Sequence, residues 1–323
     1  MRDLKMMTES INTSIKRRLG AADKLLITSH IRPDGDAIGS LLGLGLALQN
    51  AGKDVQMVLP DGVPAAFSHL EGCDLIQKEV EGDIDTFIVV DCGDFDRVHE
   101  VLRSFGVPAI NIDHHITNVN FAEINLVETD SVATASILAE HLDQWGLEIS
   151  KPVAAALMTG LITDTLGFRT MNMNPKAFRQ AATLMEKGID LPDLYYQAMV
   201  SRSYKAVRYW GAGLSNIERD GQMVWATLSL EDRKEAGYFG NDDADLINIL
   251  SSVEKSPVAI IFVEQPEGAV KISWRVRGEE WDVAKVAADF GGGGHRAAAG
   301  AIIKGSLDEI KQRVLRATRE ILS

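Results

Sequence analysis

The chain has 323 residues, 46% of them hydrophobic, which is enough for two domains that each bury their own core. Its 46 acidic residues outnumber its 33 basic residues and give a formal net charge of −13, which excludes a basic surface broad enough to grip long duplex DNA. The two cysteines, Cys73 and Cys92, are too few for a disulfide framework and indicate a reducing, cytoplasmic compartment.

The chain begins with a segment that is predicted to be helical. Residues 1–19 carry charges throughout, which is typical of an amphipathic helix and not of a targeting segment. No apolar run in the chain reaches bilayer length, so no membrane partner is expected. A short apolar run at 25–27 then predicts the first strand.

A polar loop follows this strand and precedes a predicted helix at 38–50. The loop carries one imidazole and two carboxylates within seven residues, namely His30, Asp34 and Asp36. Oxygen and nitrogen ligands at the carboxyl end of a strand are typical of a hard-metal site. The plainer interpretation is a polar turn in which Asp36 caps the helix that follows.

Two further predicted strands also end in acidic or imidazole side chains. The apolar, β-branched run 86–90 is typical of a strand buried on both faces, and Asp91 follows it. The strand at 109–112 leads into the triplet Asp113-His114-His115. Ligands bind at the carboxyl edge of an open parallel sheet, so these side chains are expected to converge there. The sequence therefore predicts an α/β fold whose N-terminal domain contains a parallel sheet.

The rest of the first half is predicted to be helical. A helix capped by Asp130 or Ser131 runs to about residue 145, and a helix at 152–162 has Asp164 just beyond its end. Helices near 177–187 and 193–201 lead out of this domain. We expect three parts, a metal-binding domain at 1–187, a helical linker at 188–210 and a smaller C-terminal domain at 211–323.

The C-terminal half alternates short strands and helices. Strands are predicted at 223–228, 258–263, 269–276 and 301–303, and helices at 244–253, 282–290 and 307–322. This pattern indicates a mixed α/β domain. Four consecutive glycines at 291–294 precede His295, and such glycines allow backbone N–H groups to approach an anion. A flexible loop is the alternative meaning of the same run.

The acidic and imidazole side chains of the first half come from four separate segments of the chain. Together they have the composition of a two-metal cluster, which needs a bridging carboxylate and terminal oxygen and nitrogen ligands. Mixed ligation of this kind favours manganese, although zinc, iron or cobalt would also fit. The alternative is that each acid caps a helix or ends a strand independently. The set is His30, Asp34, Asp36, Asp91, Asp113, His114, His115 and Asp164.

Over its whole length the chain resembles the DHH phosphoesterase superfamily. The resemblance rests on Asp113-His114-His115, on the pattern His30-x3-Asp34-x-Asp36 and on the strand-end Asp91. The glycine run with His295, followed by residues 297–300, is similar to the C-terminal domain of the NrnA-like subfamily of oligoribonucleases and 3′-phosphoadenosine-5′-phosphate (pAp) phosphatases. This resemblance implies a manganese-dependent phosphoesterase that hydrolyses very short oligonucleotides to mononucleotides, and pAp to AMP, by two-metal activation of water.

The resemblance also implies a role for each matching residue. The metal ligands would be His30 and Asp34 for one ion, Asp36, His114 and Asp164 for the other, and Asp91 as the bridge. Asp113 would orient a histidine ring and His115 would face the substrate phosphate. The substrate-binding residues of the C-terminal domain would be Arg275, assisted by Arg277, and Gly292, Gly293, Gly294 and His295.

Several other functions are compatible with the same motifs. A cyclic di-AMP or other cyclic-dinucleotide phosphodiesterase would use the same site. A RecJ-like single-strand exonuclease would need a longer and more basic path for the strand, and a family II inorganic pyrophosphatase matches the C-terminal half poorly. An inactive nucleotide-binding regulator would lack a metal ligand, whereas every matching position is filled. The N-terminal helix and the linker would allow a homodimer.

Overall fold

The computed structural model describes residues 2–278 and 280–322, without the side chains of residues 2–9 and of residue 295. The chain forms two compact units, the first ending at Ser201 and the second beginning at Arg202. The domain limits that we expect from the sequence, 1–187, 188–210 and 211–323, stay a prediction. Among the described residues, every helix is too short or too polar to cross a membrane.

The first unit contains a six-stranded parallel sheet. Its strands are β1 (Lys24–Thr28), β2 (Asp54–Val58), β3 (Ile76–Gln77), β4 (Thr86–Val90), β5 (Ile110–Asp113) and β6 (Ile124–Val127). They lie in the order β3-β2-β1-β4-β5-β6. The direction of strand addition reverses between β1 and β4, and the carboxyl ends of strands at such a reversal flank the crevice where α/β sheets bind ligands.

The helices of the first unit pack against this sheet and against each other. They are α1 (Arg2–Ala21), α2 (Gly35–Asn50), α3 (Glu100–Arg103), α4 (Thr134–Trp145), α5 (Lys151–Asp164), α6 (Pro175–Met185) and α7 (Leu191–Tyr195). The backbones of α2 and α5 touch, because a Cβ on Gly39 would lie 2.5 Å from the carbonyl oxygen of Ala156. A Cβ on Gly35 would meet Thr163, so the start of α2 lies beside the end of α5. This antiparallel pair brings Asp36 and Asp164 to the same edge.

The second unit contains a six-stranded sheet of mixed direction. Its strands are β7 (Glu218–Asp220), β8 (Met223–Leu228), β9 (Val258–Gln265), β10 (Ala269–Val276), β11 (Gly293–His295) and β12 (Ala298–Lys304). They lie in the order β11-β12-β10-β9-β8-β7, and only the β8–β9 pairing is parallel among them. The helices are α8 (Tyr204–Ser215), α9 (Leu230–Ala236), α10 (Leu246–Leu250), α11 (Val283–Asp289) and α12 (Leu307–Glu320). The predicted α/β fold class is confirmed for both halves of the chain.

Three local predictions are wrong in their details. The helix expected at 244–253 begins only at Leu246, because Ala244 and Asp245 have left-handed backbones with φ of 51° and 68°. Asp164 is the last residue of α5 and does not lie beyond it. Half of the glycine run is a strand, since Gly293 and Gly294 pair with Gly300 and Ala299 of β12.

Candidate metal centre

The predicted metal ligands lie along one edge of the parallel sheet. His30 follows β1, Asp91 follows β4, and His114 follows β5. The remaining carboxylates come from the antiparallel helix pair, Asp36 from the first turn of α2 and Asp164 from the last residue of α5. The strands that carry His30 and Asp91 are neighbours in the sheet, at the reversal between β1 and β4. The crevice that the topology creates is therefore lined by acids and imidazoles.

One group of possible ligands consists of His30, Asp34 and Asp91, whose ligand atoms all lie within 4.8 Å of one another. The Nε2 atom of His30 is 3.7 Å from Oδ2 of Asp91 and 4.0 Å from Oδ2 of Asp34. Its Nδ1 lies 2.9 Å from the carbonyl oxygen of Ile31, which can only accept a hydrogen bond. The proton of a neutral ring is thus on Nδ1, and Nε2 is left as a metal-binding lone pair.

A second group consists of Asp36, His114 and Asp164, also within 4.8 Å of one another. The Nε2 atom of His114 is 3.9 Å from Oδ2 of Asp36 and 3.6 Å from Oδ2 of Asp164. It is also 3.8 Å from Oδ1 of Asp91, which belongs to the first group. These separations are too long for hydrogen bonds and suit atoms that share an ion. Asp91 points one oxygen at each group, as a bridging carboxylate would.

Burial and mutual repulsion act on these carboxylates. Burial, followed by the charges of Asp36 and Asp34, raises the pKa of Asp91 well above its ordinary value. Burial also raises the pKa of Asp36, and burial with the charges of Asp36 and Asp34 raises the pKa of Asp164 to about 8. Several buried carboxylates facing one another are stable as anions only beside a cation. The donor set therefore fits divalent metal ions.

Burial also lowers the pKa of His30, which keeps its ring neutral at pH 7. A neutral imidazole is the form that binds a metal. Both kinds of side chain thus favour metal binding. The crowded carboxylates need a cation to be stable as anions, and the neutral imidazole has a lone pair to offer to that cation.

The structure corrects the prediction of which acid caps which helix. Asp34 caps α2, since its Oδ1 accepts from the backbone N–H of Asp36 and of Ala37, both at 3.1 Å. Asp36 instead serves α4, where its carboxylate accepts from the N–H groups of Thr134 at 2.6 Å and Ala135 at 2.9 Å. The sequence predicts that Asp130 or Ser131 caps α4, and this prediction is wrong, because the carboxylate of Asp36 in α2 already accepts from the first amides of α4.

Thr134 was not identified from the sequence, although it touches two of the acids. Its side chain is fully buried, and its hydroxyl donates to Oδ1 of Asp91 at 3.0 Å. Its backbone N–H donates to Asp36, so one residue ties the bridging acid to the second group. No local sequence signal exists for these two contacts, which join positions 43 and 98 residues apart.

The backbone of Asp91 is in the left-handed region, with φ of 53°. Residues other than glycine rarely adopt this conformation, and strain of this kind concentrates at functional sites. The turn is held by the N–H of Asp91, which donates to the carbonyl oxygen of Ile112 at 2.9 Å. The position of the shared carboxylate is therefore imposed by the surrounding structure.

His115 is paired with Asp113. Its Nδ1 lies 2.7 Å from Oδ1 of Asp113 and 3.8 Å from Oδ1 of Asp91. Burial opposes both charges, yet this bond raises the pKa of His115 and, with a bond from Asn118, lowers the pKa of Asp113. The buried carboxylate of Asp113 thus holds the ring of His115 and favours its protonated form.

The predicted substrate residues lie in the second unit, on or beside β10 and β11, the two strands that flank β12. Arg275 of β10 is half-buried, and its Nη1 donates to the carbonyl oxygen of Trp274 at 3.0 Å. Ala298 of β12 pairs on one side with Arg275 and on the other with the backbone of His295. The side chain of His295 lies outside the described part of the structure. Gly292 is required by space, since a Cβ there would lie 2.2 Å from the carbonyl oxygen of Gly300.

Another group of possible metal ligands, away from this edge, is an ion-pair network. Nε2 of His141 lies 2.7 Å from Oε1 of Glu128, and Glu140 is near them. Lys176 lies 3.8 Å from Oε2 of Glu128 and also contacts Glu140. Because an ammonium group already occupies the space between the acids, this network does not need a metal ion.

Comparison with known proteins identifies the family of both units. Residues 24–161 match the DHH family, N-terminal domain, and residues 222–322 match the DHHA1 domain. The bifunctional oligoribonuclease and PAP phosphatase NrnA of Thermus thermophilus is 35% identical over 311 residues, which cover 93% of this chain and 90% of that protein.

Solved structures show the same fold. An exopolyphosphatase-related protein from Bacteroides fragilis has a TM-score of 0.89 and 27% identity, with 98% of both chains covered. RecJ of Thermus thermophilus in complex with Mn²⁺ has a TM-score of 0.52 and 15% identity, covering 96% of this chain and 55% of that one, and shares the fold alone. The matched domains and the NrnA relative together show that this chain is a member of the DHH family, NrnA-like, with a C-terminal DHHA1 domain.

Proposed function

We propose that the chain is a phosphoesterase that hydrolyses very short oligonucleotides to mononucleotides, and pAp to AMP, with two divalent metal ions, Mn²⁺ above all. The NrnA relative of Thermus thermophilus, whose name gives both activities, supports the substrate class. RecJ, which shares the fold, has been solved with Mn²⁺. The observation that carries the proposal is the position of Asp91, with one oxygen toward each of two ligand groups.

The proposed metal ligands divide between the two groups. His30 and Asp34 would hold one ion, Asp36, His114 and Asp164 the other, and Asp91 both. Bound divalent ions lower the pKa of a coordinated water and so supply hydroxide as a nucleophile near neutral pH. The chain itself provides the fixed ligand positions, because Thr134 and the amides of α4 hold two of the carboxylates.

His115 is the proposed phosphate-facing residue. Asp113 accepts a hydrogen bond from its Nδ1 and favours the imidazolium form, in which Nε2 also carries a proton that it can donate to a phosphoryl oxygen. A charge-assisted donor at this point offsets negative charge that develops as the phosphoryl group is attacked. Asp113 then acts as the residue that orients the ring.

Arg275 and the glycine-rich segment are the proposed substrate-binding residues of the second unit. The guanidinium of Arg275 offers a planar fork to a phosphate. The backbone is closely packed at Gly292 and Gly294 and open at Gly293, and no glycine of this run places a side chain in the way of a bound anion. Arg277, which donates to the carbonyl oxygen of Val253 at 2.9 Å, is the proposed assistant.

The partners and the compartment are also proposals. Short RNA or DNA oligonucleotides and small nucleotides are the proposed partners, and the cytoplasm is the proposed compartment because Cys73 and Cys92 are free thiols. A homodimer formed through the N-terminal helix and the linker stays a prediction.

A substrate panel tests the function directly. RNAs of two to five nucleotides, pAp, cyclic di-AMP and a long single strand are incubated with the protein, with Mn²⁺ or with chelator. We expect mononucleotides from the short RNAs and AMP from pAp, in the presence of Mn²⁺ only. Preferred cleavage of the cyclic dinucleotide or of the long strand would assign the chain to another DHH activity, and binding without cleavage would make it a regulator.

Thr134 provides a test of how the centre is held. The substitution Thr134→Val keeps the shape of the side chain but removes the hydroxyl that donates to Asp91. Loss of a partner that orients a ligand costs roughly 10- to 100-fold in metal affinity or activity, so we expect such a decrease. Calorimetric titration with Mn²⁺ and kcat measure it. Thr134→Ser keeps the hydroxyl and is the matched control; equal losses in both variants would contradict the assignment.

A further inference from the structure

Two asparagines at the sheet edge connect the turn of Asp91 with the Asp113–His115 pair. We propose that Asn111 and Asn118 are positioning residues for the phosphoesterase reaction, which act by fixing Asp113 and, through it, the ring of His115. The inference rests on the proposed function for the part that His115 plays. It does not follow from any motif in the sequence, where both residues read as ordinary polar positions of a strand and a loop.

Asn111 is the inner member of the pair. It lies in β5 and its side chain is fully buried. Its Nδ2 donates to the carbonyl oxygen of Val89 at 3.3 Å and to that of Cys92 at 3.1 Å, on either side of Asp91. Because both neighbours can only accept, the amide nitrogen must face them. The carbonyl oxygen of Asn111 therefore faces Asn118.

Asn118 is fixed in the same way by its neighbours. Its Nδ2 donates to Oδ1 of Asn111 at 2.8 Å and to Oδ2 of Asp113 at 2.6 Å. These two bonds use both amide protons, and the carbonyl oxygen of Cys92 is a longer contact at 3.4 Å. The side-chain oxygen of Asn118 accepts from the N–H of Asn120 at 2.7 Å. These hydrogen bonds thus allow only one orientation of the Asn118 amide.

The two asparagines fix the carboxylate of Asp113. Its side chain is fully buried, with Oδ2 bonded to Asn118 and Oδ1 bonded to Nδ1 of His115. A buried carboxylate oxygen without a donor is costly, so a side chain that lost the bond from Asn118 would turn to recover one. Rotation of the carboxylate would carry the ring of His115 away from its present place. The side chain of Asn118 therefore acts on the ring of His115 through the carboxylate of Asp113.

The test compares two substitutions that differ in shape and in chemistry. Asn118→Asp keeps the shape of the side chain but places a carboxylate oxygen against two acceptors, Oδ1 of Asn111 and Oδ2 of Asp113. Asn118→Ala removes both hydrogen bonds and adds no charge. We expect kcat to fall roughly 10-fold in Asn118→Ala and roughly 100-fold in Asn118→Asp, with KM within about twofold of the native value. Asn50→Ala is the control. It removes one exposed hydrogen bond, from the side-chain amide of Asn50 to the hydroxyl of Ser150 in the same unit, and should behave as the native protein.

A measurement without substrate or metal separates this inference from the proposed function. The proton between Nδ1 of His115 and Asp113 should give a far-downfield resonance that is absent from His115→Gln. We expect Asn118→Asp and Asn118→Ala to shift or abolish it, even if the native protein hydrolyses none of the nucleotides. An unchanged resonance in Asn118→Ala, or a milder loss of kcat in Asn118→Asp than in Asn118→Ala, would overturn the proposal. If Asn118→Asp fails to fold, the resonance of Asn118→Ala decides alone.

Discussion

Asparagine in place of Asp91 is expected to abolish hydrolysis, with kcat reduced at least ~10³-fold, equivalent to about 4 kcal/mol of lost transition-state stabilisation. The carboxylate of Asp91 lies between both ligand groups, with one oxygen 3.7 Å from Nε2 of His30 and the other 3.8 Å from Nε2 of His114. An amide offers a single neutral oxygen and cannot bridge two cations as a carboxylate does. Initial rates on a dinucleotide with saturating Mn²⁺ measure the effect.

The same substitution is expected to stabilise the metal-free protein. Burial and the charges of Asp36, Asp34 and Asp164 raise the pKa of Asp91, so its anion is unfavourable in the folded state. Asparagine has nearly the same shape without the charge. Thermal unfolding in chelator should therefore give a higher Tm for Asp91→Asn than for the native chain, and the order should reverse with Mn²⁺.

The exposed Asp74 offers a matched control for this pair of effects. Asp74→Asn removes a charge from the same unit and should change neither kcat nor the response of Tm to Mn²⁺. Near-native turnover of Asp91→Asn, or a Tm below that of the native chain in chelator, would show that this carboxylate is not part of a shared metal centre.

Much of the ligand edge could be predicted because the rules involved are local. A buried apolar run such as 86–90 predicts a strand, and the residue that ends it, Asp91, must lie at the carboxyl edge of a parallel sheet. The triplet Asp113-His114-His115 is placed by the same argument. The sequence pattern thus indicated residues that the structure places in groups of three, with the ligand atoms of each group within 4.8 Å of one another.

The contacts that support this edge could not be predicted, because they depend on packing between distant segments. The first amides of α4 donate to Asp36 because α2, α4 and α5 pack together. Local capping rules instead predict Asp130 or Ser131 as the cap of α4. The hydrogen bonds from Asn118 to Asn111 and Asp113 likewise depend on how the loop packs against β5. The glycine run gave no sign of strand β11, since its pairing depends on β12.

The crowding of carboxylates also has a cost that varies with pH. The first unit must fold with Asp36, Asp91 and Asp164 beside one another, and the pKa of each is raised. In the unfolded chain these groups ionise near pH 4. Without metal, the folded state therefore binds more protons than the unfolded state between about pH 4 and the raised pKa values.

Removal of the metal ions is accordingly expected to make stability fall as pH rises. Each such carboxyl group lowers the free energy of unfolding by at most about 1.4 kcal/mol per pH unit in this interval. For Asp164 the decrease should end near its folded-state pKa of about 8. Metal binding needs the ionised carboxylates, so the affinity for Mn²⁺ and the gain in Tm on adding it should both increase with pH.

Thermal unfolding between pH 5 and 9, with chelator and with Mn²⁺, tests this linkage. The curves of Tm against pH should diverge, and Asp164→Asn should flatten the chelator curve because the substituted side chain no longer titrates. Parallel curves for the native chain, or a chelator curve that rises with pH, would contradict the expected sign. The divergence has a physical reason that no single ligand supplies: the acids that destabilise the empty fold are the ones that the cations hold in place.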